Sequence, residues 1–296
     1  MAATHFDVTH RDAYAGGQVF GDVGAYEQID GVLHFAVDPL AAANACIVDL
    51  KLAGRNGQGL VEFQADFSLL QPTDAGKANG TTIVELPNRG RRRVVANMNR
   101  APATAPVTRQ AHPGDGFLFR HGYTVASIGW QWDVYRSDAL MGLEAPSALA
   151  DDGSFLGGET MVEIRPSQAA RSWVLADRVH RPLPAAAAQG QTTRLLVRDY
   201  EDGDDRVIDP AQWRFAREMD DGTVVEDSEH VYLSSGFEVG KLYQLVYTTD
   251  RAPIAALGLL ALRDVAPFLR NGSTTSPATG QCRSMIAWGV SQTGRM

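Results

Sequence analysis

The residues best suited to chemistry lie near the end of the sequence, in Gly-Val-Ser-Gln-Thr-Gly at 289–294, here named the serine turn. An apolar run at 285–288 precedes it and predicts a buried strand. A serine on a tight turn after a strand projects its hydroxyl above the sheet, where it can act as a nucleophile. Gly289 would leave room for this turn, and the backbone N–H of Gln292 would face a developing oxyanion. The pattern therefore predicts nucleophilic acyl transfer at Ser291.

The serine turn departs from the usual pattern at one position, because glycine normally stands two residues after the serine. Here Thr293 occupies that position and glycine follows it as Gly294. The side chain of Thr293 must therefore pack where a smaller residue is normally found.

A second oxyanion donor is expected from the loop after a neighbouring strand. The run at 82–86 predicts a short strand, and Asn88, Arg89 and Gly90 form a turn directly after it. We expect a backbone N–H of Arg89 or Gly90 to be this donor, and an ordinary turn is the alternative.

Two residues are candidates for lining a substrate pocket. Trp130 and Gln131 follow a run at 123–128 that predicts a further strand. In open α/β sheets, residues beyond the carboxyl ends of the strands line the ligand crevice. The alternative is that Trp130 and Trp132 are core aromatics.

The elements that must position these residues can be read along the chain. Alternation of apolar and polar residues at 33–37, 48–52 and 61–69 predicts strands of an antiparallel meander. A short helix is expected within 114–122, between the strands at 82–86 and 123–128. This order predicts that these two strands are parallel and joined by a crossover. The apolar stripe at 254–269 predicts an amphipathic helix.

These elements predict three regions and an α/β fold class. Residues 1–80 form a β-rich N-terminal segment, and residues 81–140 with 246–296 form a partial α/β core. Residues 141–245 form a β-rich insert, which would cover the crevice and shape the choice of substrate.

Segments spread over nearly the whole sequence resemble a family of largely uncharacterised bacterial α/β-hydrolase-domain proteins. They are Phe-Gly-Asp-Val-Gly-Ala-Tyr-Glu at 20–27, Leu-Val-Glu-Phe-Gln-Ala-Asp-Phe at 60–67, Asn-Arg-Gly at 88–90, Gly-Trp-Gln-Trp-Asp at 129–133, Gly-Phe-Glu-Val-Gly at 236–240, Leu-Gly at 257–258 with Arg-Asp at 263–264, and Gly-Val-Ser-Gln-Thr-Gly-Arg at 289–295. The serine turn resembles the nucleophile elbow of these proteins, which share the glycine at 294. It is also similar to the elbow of glucuronoyl esterases, which carry arginine where this chain has Gln292.

The resemblance implies an α/β-hydrolase fold, of which this chain would hold the N-terminal half of the core sheet. It also implies a serine nucleophile and the hydrolysis of a carboxylic ester through an acyl-enzyme. No cofactor is implied.

The partners of a catalytic serine are missing from the expected part of the sequence. A base must take the hydroxyl proton and an acid must orient that base, and in α/β-hydrolases both follow the serine. Only five residues follow Ser291. The seven histidines all precede it: His5, His10, His34, His112, His121, His180 and His230. We therefore expect the chain to be truncated, the N-terminal part of a longer enzyme, and inactive by itself. The alternative is a naturally short product or an unusual triad.

Composition limits the possible partners and location. The net charge of −8 opposes general binding to nucleic acid or to anionic membranes. Cys46 and Cys282 lie far apart, and no ligand spacing indicates a metal site. No apolar run is long enough to span a membrane, and the first residues lack a signal-peptide core, so we expect a cytoplasmic protein. The expected partner is a small-molecule ester, and the sequence indicates no oligomeric state.

The sequence is also compatible with two other functions. The β-rich regions could form a binding or interaction module in which the serine turn is a non-catalytic relic, because a fold does not guarantee activity. The arginine-rich run at 89–93 could bind phosphate or an acidic substrate, although a solvated loop is the simpler interpretation.

Overall fold

The computed structural model describes residues 3–177, 180–271 and 282–296. The chain forms two compact units, the first from Met1–Pro146 with Ile254–Met296 and the second from Ser147–Pro253. No helix within the described ranges is long and apolar enough to cross a membrane.

The strands and α-helices follow one another along the chain as follows. The strands are β1 (Ala3–Ala13), β2 (Val19–Phe20), β3 (Gly24–Val37), β4 (Val61–Pro72), β5 (Thr81–Glu85), β6 (Thr124–Ile128), β7 (Leu143–Glu144), β8 (Gly158–Ile164), β9 (Ala170–Val174), β10 (Arg194–Arg198), β11 (Arg206–Val207), β12 (Trp213–Glu218), β13 (Val224–Phe237), β14 (Leu242–Thr249) and β15 (Ser284–Trp288). The helices are α1 (Val94–Met98), α2 (Phe117–Arg120) and α3 (Leu257–Asn271).

The first unit is built on a mixed sheet with the strand order β1-β3-β4-β6-β5-β15. The strands β1, β3, β4 and β6 pair with one another in antiparallel fashion. The strands β6, β5 and β15 are parallel, so their carboxyl ends lie at the same edge of the sheet. The parallel pair that the sequence predicts is thereby confirmed. Of the expected meander, the strands at 33–37 and 61–69 are found within β3 and β4, which pair in antiparallel fashion.

Helices cover both sides of this sheet. Successive residues of a strand face opposite sides, so neighbouring strand residues pack against different helices. On one side, Leu69 and Val84 belong to a core cluster with the apolar stripe of α3. On the other side, their neighbours Leu70 and Ile83 belong to a second cluster, which includes residues of α1 and α2. The two clusters hold the central strands between them, and thereby position the loops at the strand ends.

The amphipathic helix expected at 254–269 is confirmed as α3, which begins three residues later, at Leu257. Ile254 is buried but lies in the turn that enters the helix, where its carbonyl accepts a hydrogen bond from Leu257 N–H at 3.1 Å. The strand expected at 48–52 is wrong. Asp49 adopts a left-handed φ of 61° and a short 3-10 turn, Leu50–Leu52, follows it. Alternation alone did not reveal this turn.

The expected α/β-hydrolase fold, with the N-terminal half of its core sheet in this chain, is wrong. The protein is mostly β-sheet, with 41% strand and 16% helix, and the part of the chain that is described contains three α-helices. Only α3, with 15 residues, is longer than five. Crossover helices accompany parallel strands. Here antiparallel pairing predominates, so few such helices are needed.

The second unit consists of two antiparallel sheets that share one core. A four-stranded sheet has the order β11-β10-β14-β8, and a three-stranded sheet has the order β12-β13-β9. Leu195 and Leu245 of the first sheet belong to the same buried cluster as Val231 and Phe237 of the second. Side chains from two facing sheets therefore form this core, as in a β-sandwich.

Candidate functional site

Three loops meet at the carboxyl ends of the parallel strands β5, β6 and β15. They comprise residues 86–91, residues 129–133 and the serine turn. Leu86 N–H donates a hydrogen bond to the carbonyl of Trp288 at 2.9 Å, so β5 and β15 remain paired up to the loops. All eight residues that the sequence analysis assigns to the site lie in these loops.

The serine turn holds Ser291 in a backbone conformation that is uncommon for a residue with a side chain. Its φ is 59°, in the left-handed region. The chain then enters a short 3-10 turn, Thr293–Arg295, and Gly294 N–H donates to the carbonyl of Ser291 at 3.2 Å. Ser291 and Gln292 are both exposed. The serine is thus presented at the surface, directly after a strand, in a conformation that costs free energy.

Gly289 and Thr293 together close this turn. A Cβ atom at Gly289 would clash with the backbone carbonyl oxygen of Thr293, so only glycine fits there without a shift. Thr293 is 3% exposed, and its Oγ1 accepts from Val290 N–H at 2.9 Å and donates to the Val290 carbonyl at 3.0 Å. The threonine therefore satisfies polar backbone groups inside the turn. At Gly294 an added Cβ would come 3.3 Å from the Gly289 carbonyl oxygen, a tight approach.

Asn88 joins the loop after β5 to the serine turn. Its Nδ2 donates a hydrogen bond to the Val290 carbonyl at 3.0 Å. Its Oδ1 is buried and has no hydrogen-bond partner within the described ranges. An unpaired buried acceptor carries a desolvation cost of about 1–3 kcal/mol. This oxygen is therefore a group to which a ligand or a water molecule could donate.

The two residues expected to supply the second oxyanion donor lie in a tight turn beside Asn88. Arg89 has a φ of 53°, and its N–H donates to Gln131 Oε1 at 2.8 Å. This N–H is therefore already engaged. At Gly90, with a φ of 76°, an added Cβ would come 2.7 Å from Val134 Cγ1. Close packing thus requires glycine there, whatever part its N–H plays.

The two pocket candidates are both held by the loops around them. Trp130 Nε1 donates to the Pro87 carbonyl at 2.9 Å, and a Cβ at Gly258 of α3 would clash with the Trp130 carbonyl oxygen. Gln131 is 7% exposed, and its amide oxygen is the acceptor for Arg89 N–H. The geometry shows that both residues support the loop after β5.

Glu85 is a site residue that the sequence analysis missed. It is the last residue of β5 and is 1% exposed. Its Oε1 accepts hydrogen bonds from the N–H groups of Arg93 and Val94, and Ser127 Oγ donates to its Oε2 at 2.8 Å. Burial raises the pKa of this carboxyl above its ordinary value. Glu85 thus fixes the far end of the loop that begins at Leu86. The feature of the sequence that could have revealed it is a single acidic residue in an otherwise apolar strand.

The structure places no general base at Ser291 among the residues it describes. In this part of the chain, Ser291 Oγ has no hydrogen-bond partner, and two of the histidines lie against carboxylates instead. His34 Nε2 lies 2.9 Å from an oxygen of Asp7, and His230 Nδ1 lies 3.1 Å from an oxygen of Asp227. No group of three or more His, Cys, Asp or Glu within the described ranges could hold a metal ion.

The fold and the site define a predominantly β protein of two units, in which a serine stands in a left-handed turn after a strand of a mixed sheet. Comparisons with family models, with curated proteins and with solved structures find no match to this chain.

Proposed function

We propose that the protein is a serine hydrolase that cleaves carboxylic esters through an acyl-enzyme on Ser291. The observation that carries the proposal is the left-handed φ of 59° at an exposed serine, directly after a parallel strand. Strained backbone of this kind persists where the surrounding structure holds it, and it is concentrated at functional sites. The residues that hold the backbone of Ser291 in this conformation are Gly289, Thr293 and Asn88.

The proposed reaction has two steps. Ser291 Oγ attacks the ester carbonyl carbon and loses its proton to a base, and the alcohol leaves with a proton as the acyl-enzyme forms. Water then attacks the acyl group and releases the acid. The Gln292 N–H, which donates to no backbone carbonyl among the described residues, would stabilise the oxyanion of each step.

Among the described residues, no base and no orienting acid lie beside Ser291. The test uses the whole protein as it is expressed, so that every residue able to activate Ser291 is present. A fluorophosphonate probe reacts with a serine only when a base activates it, so labelling reports the assembled site.

We expect mass spectrometry to find the phosphonyl group on the peptide that contains Ser291. Ser291→Ala should abolish labelling and ester hydrolysis. Ser284→Ala is a matched control, because Ser284 is also exposed and begins β15. Absence of labelling in the unaltered protein, or labelling that persists in Ser291→Ala, would overturn the proposal.

One observation favours a second candidate, a binding module in which the serine turn has no catalytic part. The Arg89 N–H is engaged by Gln131 Oε1 at 2.8 Å, so one expected oxyanion donor is occupied. This candidate predicts a protein that folds and does not react with the probe. The same labelling experiment thus separates the two functions.

A further inference from the structure

A second candidate site lies in the first unit, between α1 and the segment 101–112. It is a cleft of about 330 Å³, here named the Arg93 cleft. Its walls are mainly alanine, proline and valine, and its charged or polar lining residues are Arg92, Arg93, Asn97, Thr108 and His112. These lining residues, all described by the structure, include no aspartate or glutamate. The cleft therefore has mainly apolar walls, and its charged lining residues are all positive.

The charge of Arg92 is balanced from inside the protein. Its Nη1 donates to Ser68 Oγ at 3.1 Å and lies 3.6 Å from an oxygen of Asp30. The same carboxylate accepts from Arg109 Nη1 at 2.6 Å, and Arg109 also pairs with Asp12. Two carboxylates thus face two guanidinium groups, so the charges of Arg92 and Arg109 are balanced within the protein.

Arg93 is in a different position. Its backbone N–H is bound to Glu85, but its guanidinium has no hydrogen-bond or ion-pair partner in the part of the chain that the structure describes. The residue is only partly exposed and lines the cleft. A guanidinium presents a planar fork of N–H donors that matches a carboxylate. Its unbalanced charge in a partly apolar recess favours an anion.

His112 adds a second donor to the same cleft. Its Nδ1 accepts a hydrogen bond from Gly114 N–H at 3.0 Å. In the neutral imidazole the proton must then reside on Nε2, which becomes a donor. The histidine can therefore donate to an anion while it remains uncharged.

We propose that the Arg93 cleft binds a small carboxylic acid, as its anion, with a short apolar body. Arg93 would pair with the carboxylate, His112 Nε2–H would donate to it, and the alanine and proline walls would cover the apolar part. The volume is at the small end of the range of ligand pockets, about 300–1,000 Å³, which limits the ligand to a small molecule. No residue of the serine turn lines the Arg93 cleft, so carboxylate binding there is independent of the hydrolase proposal.

Butyrate is the probe for the test, and its neutral isostere butyramide is the ligand control. In ¹H–¹⁵N spectra of the labelled protein, we expect butyrate to shift the amide signals of Asn97 and Thr108 saturably. Butyramide should bind at least about tenfold more weakly, because it lacks the charge. Raising the salt concentration to about 1 M should weaken butyrate binding, since salt screens the attraction.

The matched variants are Arg93→Gln and Arg91→Gln. Both remove one positive charge from the same run, but Arg91 is exposed and does not line the cleft. Arg93→Gln should weaken butyrate binding at least about tenfold and keep the thermal midpoint, because the backbone N–H remains bound to Glu85. Arg91→Gln should leave both unchanged.

Ala105→Leu provides a test that alters no charge. Ala105 lines the cleft, so a leucine there should fill it and abolish butyrate binding. The proposal is overturned if butyrate causes no saturable shift, if butyramide binds equally well, or if the two arginine variants weaken binding alike. It is also overturned if inorganic phosphate binds in the cleft and butyrate does not.

Discussion

The side-chain amide of Asn88 donates a hydrogen bond to the backbone carbonyl of Val290, 3.0 Å away, across 202 residues of sequence. This contact joins the loop after β5 to the serine turn. The position of Ser291 relative to Arg89 and Gly90 therefore depends on one amide as well as on the pairing of β5 with β15.

Replacing Asn88 by alanine should loosen the serine turn without unfolding the protein. One hydrogen bond is lost, which costs about 0.5–1.5 kcal/mol, but the unpaired Oδ1 is removed as well. We expect the unfolding free energy in urea to fall by less than about 1 kcal/mol, while labelling of Ser291 slows strongly. Asn97→Ala, at an exposed asparagine on α1, is the control. Equal labelling rates for the two variants would contradict this role of Asn88.

Gly289→Ala should open the serine turn. The added Cβ would clash with the Thr293 carbonyl oxygen, and relief requires a backbone shift that costs on the order of 1–3 kcal/mol. We expect faster amide hydrogen exchange in the serine turn and in β15. Gly57→Ala is the control, because a Cβ at Gly57 meets nothing within 4 Å. Unchanged exchange in Gly289→Ala would show that the turn accommodates a side chain.

Glu85 should make stability depend on pH. Burial raises its pKa in the folded protein above the ordinary value of 4.5, so the folded state binds its proton more tightly than the unfolded state. The stabilisation from this carboxyl is fully present below pH 4.5 and is lost as the pH rises through the folded pKa.

Glu85→Gln imitates the protonated carboxyl, because its amide oxygen can accept from Arg93 and Val94 while its NH₂ donates to Ser127. We therefore expect wild type and Glu85→Gln to have similar unfolding free energies at low pH. The variant should become relatively more stable as the pH rises. Urea unfolding between about pH 4 and pH 8 tests this, with exposed Glu62→Gln as the control. A difference between wild type and Glu85→Gln that does not change with pH would refute it.

Phe67→Ala should destabilise the first unit strongly. Phe67 is 1% exposed and makes edge-on contacts with Phe6 and Phe268, at ring-centroid distances of 5.2 and 6.0 Å. Removing a buried phenyl ring costs about 3–5 kcal/mol. Phe117→Ala, at a ring that is 42% exposed, should cost much less. Calorimetric or urea unfolding of both variants measures the difference, and equal losses would contradict the core described above.

Much of the local structure was predictable, because the period of apolar residues is itself local. The strands expected at 123–128 and 285–288 are found, and each differs by one residue at its first position. The helix α3 was predicted from the apolar stripe at 254–269. Glu85 was not recognised as a site residue, since nothing in sequence shows that Arg93 and Val94 donate to it.

The sequence by itself determined most of the extended and helical segments, although not the turn at 48–52, and it determined that Ser291 stands in a turn between Gly289 and Gly294. Only the tertiary structure decided how the strands pair, and it replaced the expected α/β-hydrolase fold by a mostly β architecture. It also decided that Arg89 N–H is engaged by Gln131, 42 residues away. The physical reason is that periodicity depends on neighbouring residues, whereas strand direction and side-chain hydrogen bonds depend on which distant segments meet.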